Sequence, residues 1–304
     1  MATQTTKIIF YKTRSIAGRF AAAFDFIENN FKIIVKYGSL ILVLTALLNA
    51  LLLAISGNSV LKYFQFGFST QGSIKLLLII AGITFIYLAG NILFNGIIYT
   101  LVKEYPQRDS LERIQFKEIK NKIILNSKRF LMINVVFILF GILFSILLIG
   151  MFMLSVWTLL LFIPLIIFIF IPFAYTQQIF MFEEINVVKA LKKGLRMGWY
   201  NWSGTFFLLL LACIFTQIIS MVVFTPWQVG MYVQSLSFIS VLDGNAPNLP
   251  SYFGILMFVF FVVGFFIASL AQLIPSVSMM FQYFSATQKT IENEAEKAEI
   301  NQSL

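Results

Sequence analysis

The sequence contains no histidine and a single cysteine, Cys213, among 304 residues. One cysteine cannot close a disulfide within the chain, and without histidine the usual Cys/His zinc sites and histidine-ligated haem are excluded. A catalytic histidine base goes with them. Cys213 lies in an apolar run, where a thiol behaves as a small hydrophobe. Glycine-rich phosphate loops are missing too, since Gly194, Gly198 and Gly204 match no nucleotide-binding spacing. No metal or cofactor is expected.

Charge is the other scarcity. Charged residues make up 12% of the chain and hydrophobic ones 59%, with a mean hydropathy of +0.88. Soluble domains carry about 25% charged and about 45–50% apolar residues. The few charges are also segregated: none occurs in Tyr37–Leu61, Leu76–Val102, Phe130–Phe182, Ser203–Leu242 or Gly244–Gln288. A bilayer core about 30 Å thick needs roughly 20 apolar residues per helix. The third run has room for two spans and each of the others for one. An all-α, polytopic membrane protein follows, with six transmembrane helices at about 37–57, 76–102, 130–150, 156–181, 204–224 and 252–284. Residues 1–288 form one transmembrane domain and 289–304 a polar tail. The small-x-small pattern at Ala54 and Ser56 resembles a cleavage site, but its polar lead-in is too long for a signal peptide, so the first span is expected to stay.

Lysine and arginine set the orientation. Six precede Tyr37, eight run from Lys103 to Arg129, four from Lys189 to Arg196, and Lys289 and Lys297 lie in the tail; only Lys62 and Lys75 fall on the opposite side. The basic segments, and both termini, are therefore expected in the cytoplasm, with the protein in the cytoplasmic membrane. The net charge of +9 then reads as attraction to anionic headgroups, about 1 kcal/mol per basic residue near the surface. Nucleic acid is not expected as a partner.

One plan recurs three times: an amphipathic segment, a polar-aromatic junction, then a hydrophobic hairpin. Ile16, Phe20, Phe24, Ile27, Phe31 and Ile34 lie three or four apart, on one helix face. Leu111, Ile114, Ile119 and Ile123 alternate more loosely with basic residues. In the third copy Val188, Leu191, Leu195, Trp199 and Trp202 make an apolar face, and Lys189, Lys192, Lys193 and Arg196 a basic stripe. The junctions are Asn30-Phe31, Arg129-Phe130 and Asn201-Trp202. Helices of this kind lie in the membrane interface, so the basic stripe is a candidate set of lipid-headgroup contacts. Thr225–Ser251 is expected as a hydrophobic outer segment ending in the polar turn Asp243–Asn248, and the acidic tail as a short helix or disorder.

Charge-free spans exclude the intramembrane carboxylates and cations that ion-coupled carriers use. Neutral polar residues remain. Tyr87, Asn91 and Asn95 in span 2, Gln178 in span 4, and Gln272 and Ser276 in span 6 form a candidate polar cavity, with Pro164, Pro172 and Pro275 able to open their helices. The alternative is that these side chains join helices by hydrogen bonds worth about 0.6–2 kcal/mol each.

From Ile171 to Leu211 the chain reads Ile-Pro-Phe, then Phe182-Glu-Glu-Ile185, then Val188-Lys-Ala-Leu-Lys-Lys-Gly-Leu-Arg196, then Trp199-Tyr-Asn-Trp-Ser-Gly-Thr205. This resembles a broad group of bacterial six-span proteins that includes the membrane domain of some glycerophosphodiester phosphodiesterases. The resemblance implies the three-hairpin plan. It implies no enzymatic activity, because there is no room for the phosphodiesterase barrel and no family active-site residue to carry over. The expected function is non-enzymatic: envelope or lipid organisation, or a subunit of a membrane complex with a protein partner. The alternative is a transporter or flippase-like carrier of a neutral or amphipathic compound. Glu183 and Glu184, the acids nearest a span end, are expected to cap the helix that follows.

Overall fold

A computed structural model describes residues 7–66, 70–108, 110–242 and 249–303. Helices follow one another as α1 (Ile16–Phe66), α2 (Thr70–Glu104), a 3-10 turn (Tyr105–Gln107), α3 (Phe116–Leu154), α4 (Val156–Phe182), α5 (Val187–Tyr200), α6 (Trp202–Leu242), α7 (Phe253–Ala271) and α8 (Leu273–Ser303). No strand occurs among the described residues. Six helical stretches are long and apolar enough to cross a membrane: Ile16–Ser56, Ile74–Gln107, Phe116–Met153, Pro164–Phe182, Trp202–Val241 and Phe253–Asn301. The chain is an all-α, multi-pass membrane protein.

Several elements run further than the sequence pattern suggests. The junctions at Asn30-Phe31 and Arg129-Phe130 fall inside α1 and α3. Neither glycine nor proline stands between Arg19 and Tyr37 or between Phe116 and Phe140, so nothing ends the helix where polarity changes. Asn30 instead donates from Nδ2 to Phe26 O at 2.8 Å, one turn back. At 51 residues, α1 is about 75 Å long. Only the third junction is a boundary, with Asn201 closing α5 through its N–H to Met197 O at 3.1 Å. The segment after Thr225 is helical as far as Leu242, so α6 absorbs most of the expected outer loop, Pro226 included. The Asp243–Asn248 turn lies outside the described residues. The tail is the end of α8, not a separate element. Pro275 sits in the first turn of α8, where a missing N–H breaks no intrahelical bond.

The chain divides into two compact units. The first comprises Met1–Ile34, Asn95–Ile214 and Ile274–Leu304; the second comprises Val35–Phe94 and Phe215–Leu273. In the first unit, Phe10 is buried between Tyr105 and Phe284, stacked on them at centroid distances of 5.2 and 5.0 Å. Phe26 and Phe281 close on it edge-on at 5.9 and 5.4 Å. Such aromatic pairs add about 0.5–1.5 kcal/mol each beyond their buried area. Lys7 Nζ on Pro106 O (3.0 Å) and Ile8 N on the Tyr105 hydroxyl (3.1 Å) hold the segment that brings Phe10 there. Much of α3 beyond Asn134 is bare apolar surface, as at Leu139, Leu143 and Ile146. Lipid tails satisfy such a surface at no cost, since they are as apolar as the side chains.

In the second unit helices approach through small residues. A Cβ on Gly90 would meet Thr45 Oγ1 at 2.2 Å, so α1 and α2 touch there nearly backbone to side chain. Trp227 packs edge-on against Phe261 at 5.4 Å, tying the extended part of α6 to α7.

Candidate functional site

The densest polar chemistry lies in the first unit, around Gln282 of α8. Arg19 Nη1 donates to Gln282 Oε1 at 2.6 Å, and Arg19 Nε to Ser285 Oγ at 3.2 Å. Gln282 Nε2 donates to the Tyr175 hydroxyl (2.7 Å) and to Thr205 Oγ1 (2.9 Å). The Thr205 hydroxyl lies 3.2 Å from Tyr175 OH and donates back to Asn201 O at 2.9 Å. Gln282, Tyr175 and Thr205 are all 0% exposed. One amide thus joins α1, α4, α6 and α8, with donor matched to acceptor at each end.

A second cluster joins α2, α3 and α4. Tyr99 OH donates to Gln178 Oε1 at 2.8 Å and accepts from Gln177 Nε2 at 3.0 Å. Next to Tyr99, Thr100 Oγ1 accepts from Asn126 Nδ2 (2.8 Å), and one turn on Lys103 Nζ donates to the Asn126 oxygen (2.9 Å). Glu104 takes ion pairs from Lys122 and from Arg108, the latter at 3.1 Å. Arg108 also pairs with Glu118 at 3.0 Å. Hydrogen bonds to Glu104 and then Glu118 hold its pKa above the ordinary arginine value.

The expected cavity residues divide between the two units. Gln178 is buried in its pair with Tyr99. Asn95 is buried too, and its Oδ1 accepts from Ser276 Oγ at 3.1 Å. These three side chains of the first unit join helices. Tyr87, Asn91 and Gln272 belong to the second unit, where with Thr45, Gly90 and Phe94 they line a space of about 10 Å³. That is room for about one water.

The basic stripe lies on α5, a helix with three faces. Stepping 100° per residue, Ala190, Gly194 and Gly198 share one side and are buried. Leu191, Leu195, Val188 and Trp199 follow as an apolar arc, with Val188 and Trp199 exposed. Lys192, Arg196, Lys189 and Lys193 complete the turn and are all exposed. The small face is set against α4: a Cβ on Gly198 would stand 2.4 Å from Pro172 Cα, and one on Gly194 2.8 Å from Thr176 Cα. On the apolar side, Trp202 at the start of α6 donates from Nε1 to Phe168 O at 3.0 Å, and Phe168 meets Trp199 edge-on at 4.9 Å. The helix begins on Asn186, whose Oδ1 accepts from Lys189 N at 2.8 Å.

Glu183 is thus not the cap. Its carboxylate accepts from Lys193 Nζ at 2.7 and 2.8 Å and from the Tyr283 hydroxyl at 2.9 Å. Burial, and then the Glu183 charge, push the Tyr11 phenol up. Arg129 closes the end of α4, donating from Nη2 to Phe180 O and, at 2.7 Å, to Glu183 O. A cation at the last carbonyls also complements the negative end of a helix. Among the four stripe residues, Lys193 is therefore held by Glu183, and Lys189, Lys192 and Arg196 present their charge outward.

Nothing local in the sequence marks Arg19, Thr205, Ser285 and Tyr99; each gains meaning from a partner 77 to 266 residues away. The signal that was available lay in α5. Ala190-x-x-x-Gly194-x-x-x-Gly198 is a small-residue stripe of the kind that lets membrane helices approach closely. Among the described residues no group of acidic or cysteine side chains could hold a metal ion. Comparison with protein-family models, with curated proteins and with solved structures finds no match to this chain.

Proposed function

We propose that the protein is a non-enzymatic scaffold of the cytoplasmic membrane that gathers anionic lipid headgroups through α5, with both termini in the cytoplasm. The observation that carries this reading is the three-sided α5. Its small face is spent on α4, its apolar arc includes the exposed Val188 and Trp199, and its outward cations are Lys189, Lys192 and Arg196. A helix so divided rests at the level of the headgroups, apolar arc toward the tails and cations toward phosphate. The orientation rests on the excess of lysine and arginine on one side of the spans. The buried polar clusters favour a scaffold, because their donors and acceptors are spent on joining helices. The space beside Asn91, with room for about one water, favours it over a carrier for the same reason. A membrane protein partner fits this role, as does the resemblance of Ile171–Leu211 to bacterial six-span proteins.

Native mass spectrometry of the purified protein tests the reading. Lys189→Gln, Lys192→Gln and Arg196→Gln together are expected to retain less phosphatidylglycerol than the wild type, with phosphatidylcholine unchanged. Equal phosphatidylglycerol retention by the triple variant and the wild type would overturn the headgroup role.

A further inference from the structure

A second basic site stands apart from α5. Between the non-helical residues 7–14 and the start of α1 lies an open groove of about 530 Å³. This is within the 300–1,000 Å³ range of ordinary ligand pockets. Gly18, Ala22, Asp25 and Asn29 of α1 line one wall at steps of four, three and four, so they share a helix face. Glycine and alanine there keep the wall low and the groove wide. The opposite wall carries Lys7, Lys12 and Arg14.

The three cations have different tasks. Arg14 turns inward, donating to Phe10 O at 3.1 Å and Lys12 O at 3.3 Å, with its guanidinium 5.6 Å over the Phe281 ring. It folds the segment into a wall. Lys7 spends one donor on Pro106 O at 3.0 Å, leaving two of the three that an ammonium carries. Lys7 and Lys12 are both exposed. Asp25 is the single carboxylate in the lining, so the groove keeps a positive excess beside a concave wall.

We propose that this groove binds a phosphate-bearing anion, drawn either from a lipid headgroup or from a free phosphorylated small molecule. Phosphate suits the site because flexible lysines meet it as point charges, and the small-residue wall leaves room for the group that carries it. The site is independent of the α5 stripe and stands or falls separately.

The test uses the full-length protein carrying Lys189→Gln, Lys192→Gln and Arg196→Gln, so that α5 contributes nothing. The lipid arm measures phosphatidylglycerol retention by native mass spectrometry. The soluble arm measures the thermal shift produced by inorganic pyrophosphate in neutral detergent. At about fivefold per surface cation, Lys7→Gln with Lys12→Gln is expected to weaken binding about 25-fold. Asp25→Asn, at an exposed side chain, is expected to strengthen it about fivefold and keeps the test open if the double variant misfolds. Opposite signs in the lipid arm assign a headgroup; opposite signs with pyrophosphate assign a free phosphate. Binding in neither arm, or shifts of the same sign or of no size in both, overturns the proposal.

Discussion

Replacing Gly198 with alanine tests whether the α4–α5 contact is as close as the structure has it. The added Cβ would lie 2.4 Å from Pro172 Cα and 2.5 Å from Pro172 O. These are backbone atoms of a proline inside a helix, so no side-chain rotation relieves the clash. The helices must separate by roughly 1 Å to restore ordinary contact between carbons. Overpacking costs about 1–3 kcal/mol, and a backbone neighbour puts this case near the top of that range. Alanine returns about 1 kcal/mol in helix propensity over glycine, leaving a net loss of about 2 kcal/mol. At about 2.1 cal/mol/K per residue this lowers Tm by roughly 3 °C for a chain of this size. Gly141→Ala is the matched control, because a Cβ there would meet nothing within 4 Å beyond its own helix's backbone. There the propensity gain stands alone, and Tm is expected to rise by about 1–2 °C. Thermal unfolding in one detergent, followed by intrinsic tryptophan fluorescence, measures both variants. A Gly198→Ala protein as stable as the wild type, or more so, would refute the close packing.

Gln282→Leu strips acceptor from Arg19 and donor from Tyr175 and Thr205 in a site closed to water, and is expected to destabilise by about 3 kcal/mol or more. Gln272→Leu, at an exposed position, is expected to stay within about 0.5 kcal/mol of wild type in the same assay. Asn186→Ala removes the oxygen that accepts from Lys189 N and should cost about 1 kcal/mol, read as faster hydrogen exchange in the first turn of α5. Glu183→Gln weakens the pair with Lys193, whose side chain is about half exposed, so the loss should be under about 1 kcal/mol. Because it frees Lys193, the same variant should also retain more phosphatidylglycerol in native mass spectrometry.

Membrane insertion was legible in the sequence because the bilayer imposes one local requirement, about 20 apolar residues without charge. The runs Tyr37–Leu61, Leu76–Val102 and Phe130–Phe182 meet it regardless of what packs beside them. Where those helices would begin was not legible, since a polar-to-apolar change ends no helix unless glycine, proline or a cap interrupts the backbone; α1 and α3 accordingly run through their junctions. The three faces of α5 were partly legible. Lysine and arginine periodicity marks the basic stripe and hydropathy the apolar arc, whereas packing alone decides that the Ala190, Gly194 and Gly198 face bears the contact with α4.

The polar residues show the division most clearly. Asn95, Gln178 and Ser276 stood out as polar residues in apolar helices. Rarity says only that each needs a partner, because an unpaired polar group in hydrocarbon costs several kcal/mol. Which partner depends on the helices that happen to be neighbours. That choice, Gln282 with Arg19, Tyr175 and Thr205, and Gln178 with Tyr99, was made by packing at distances along the chain that no local pattern records.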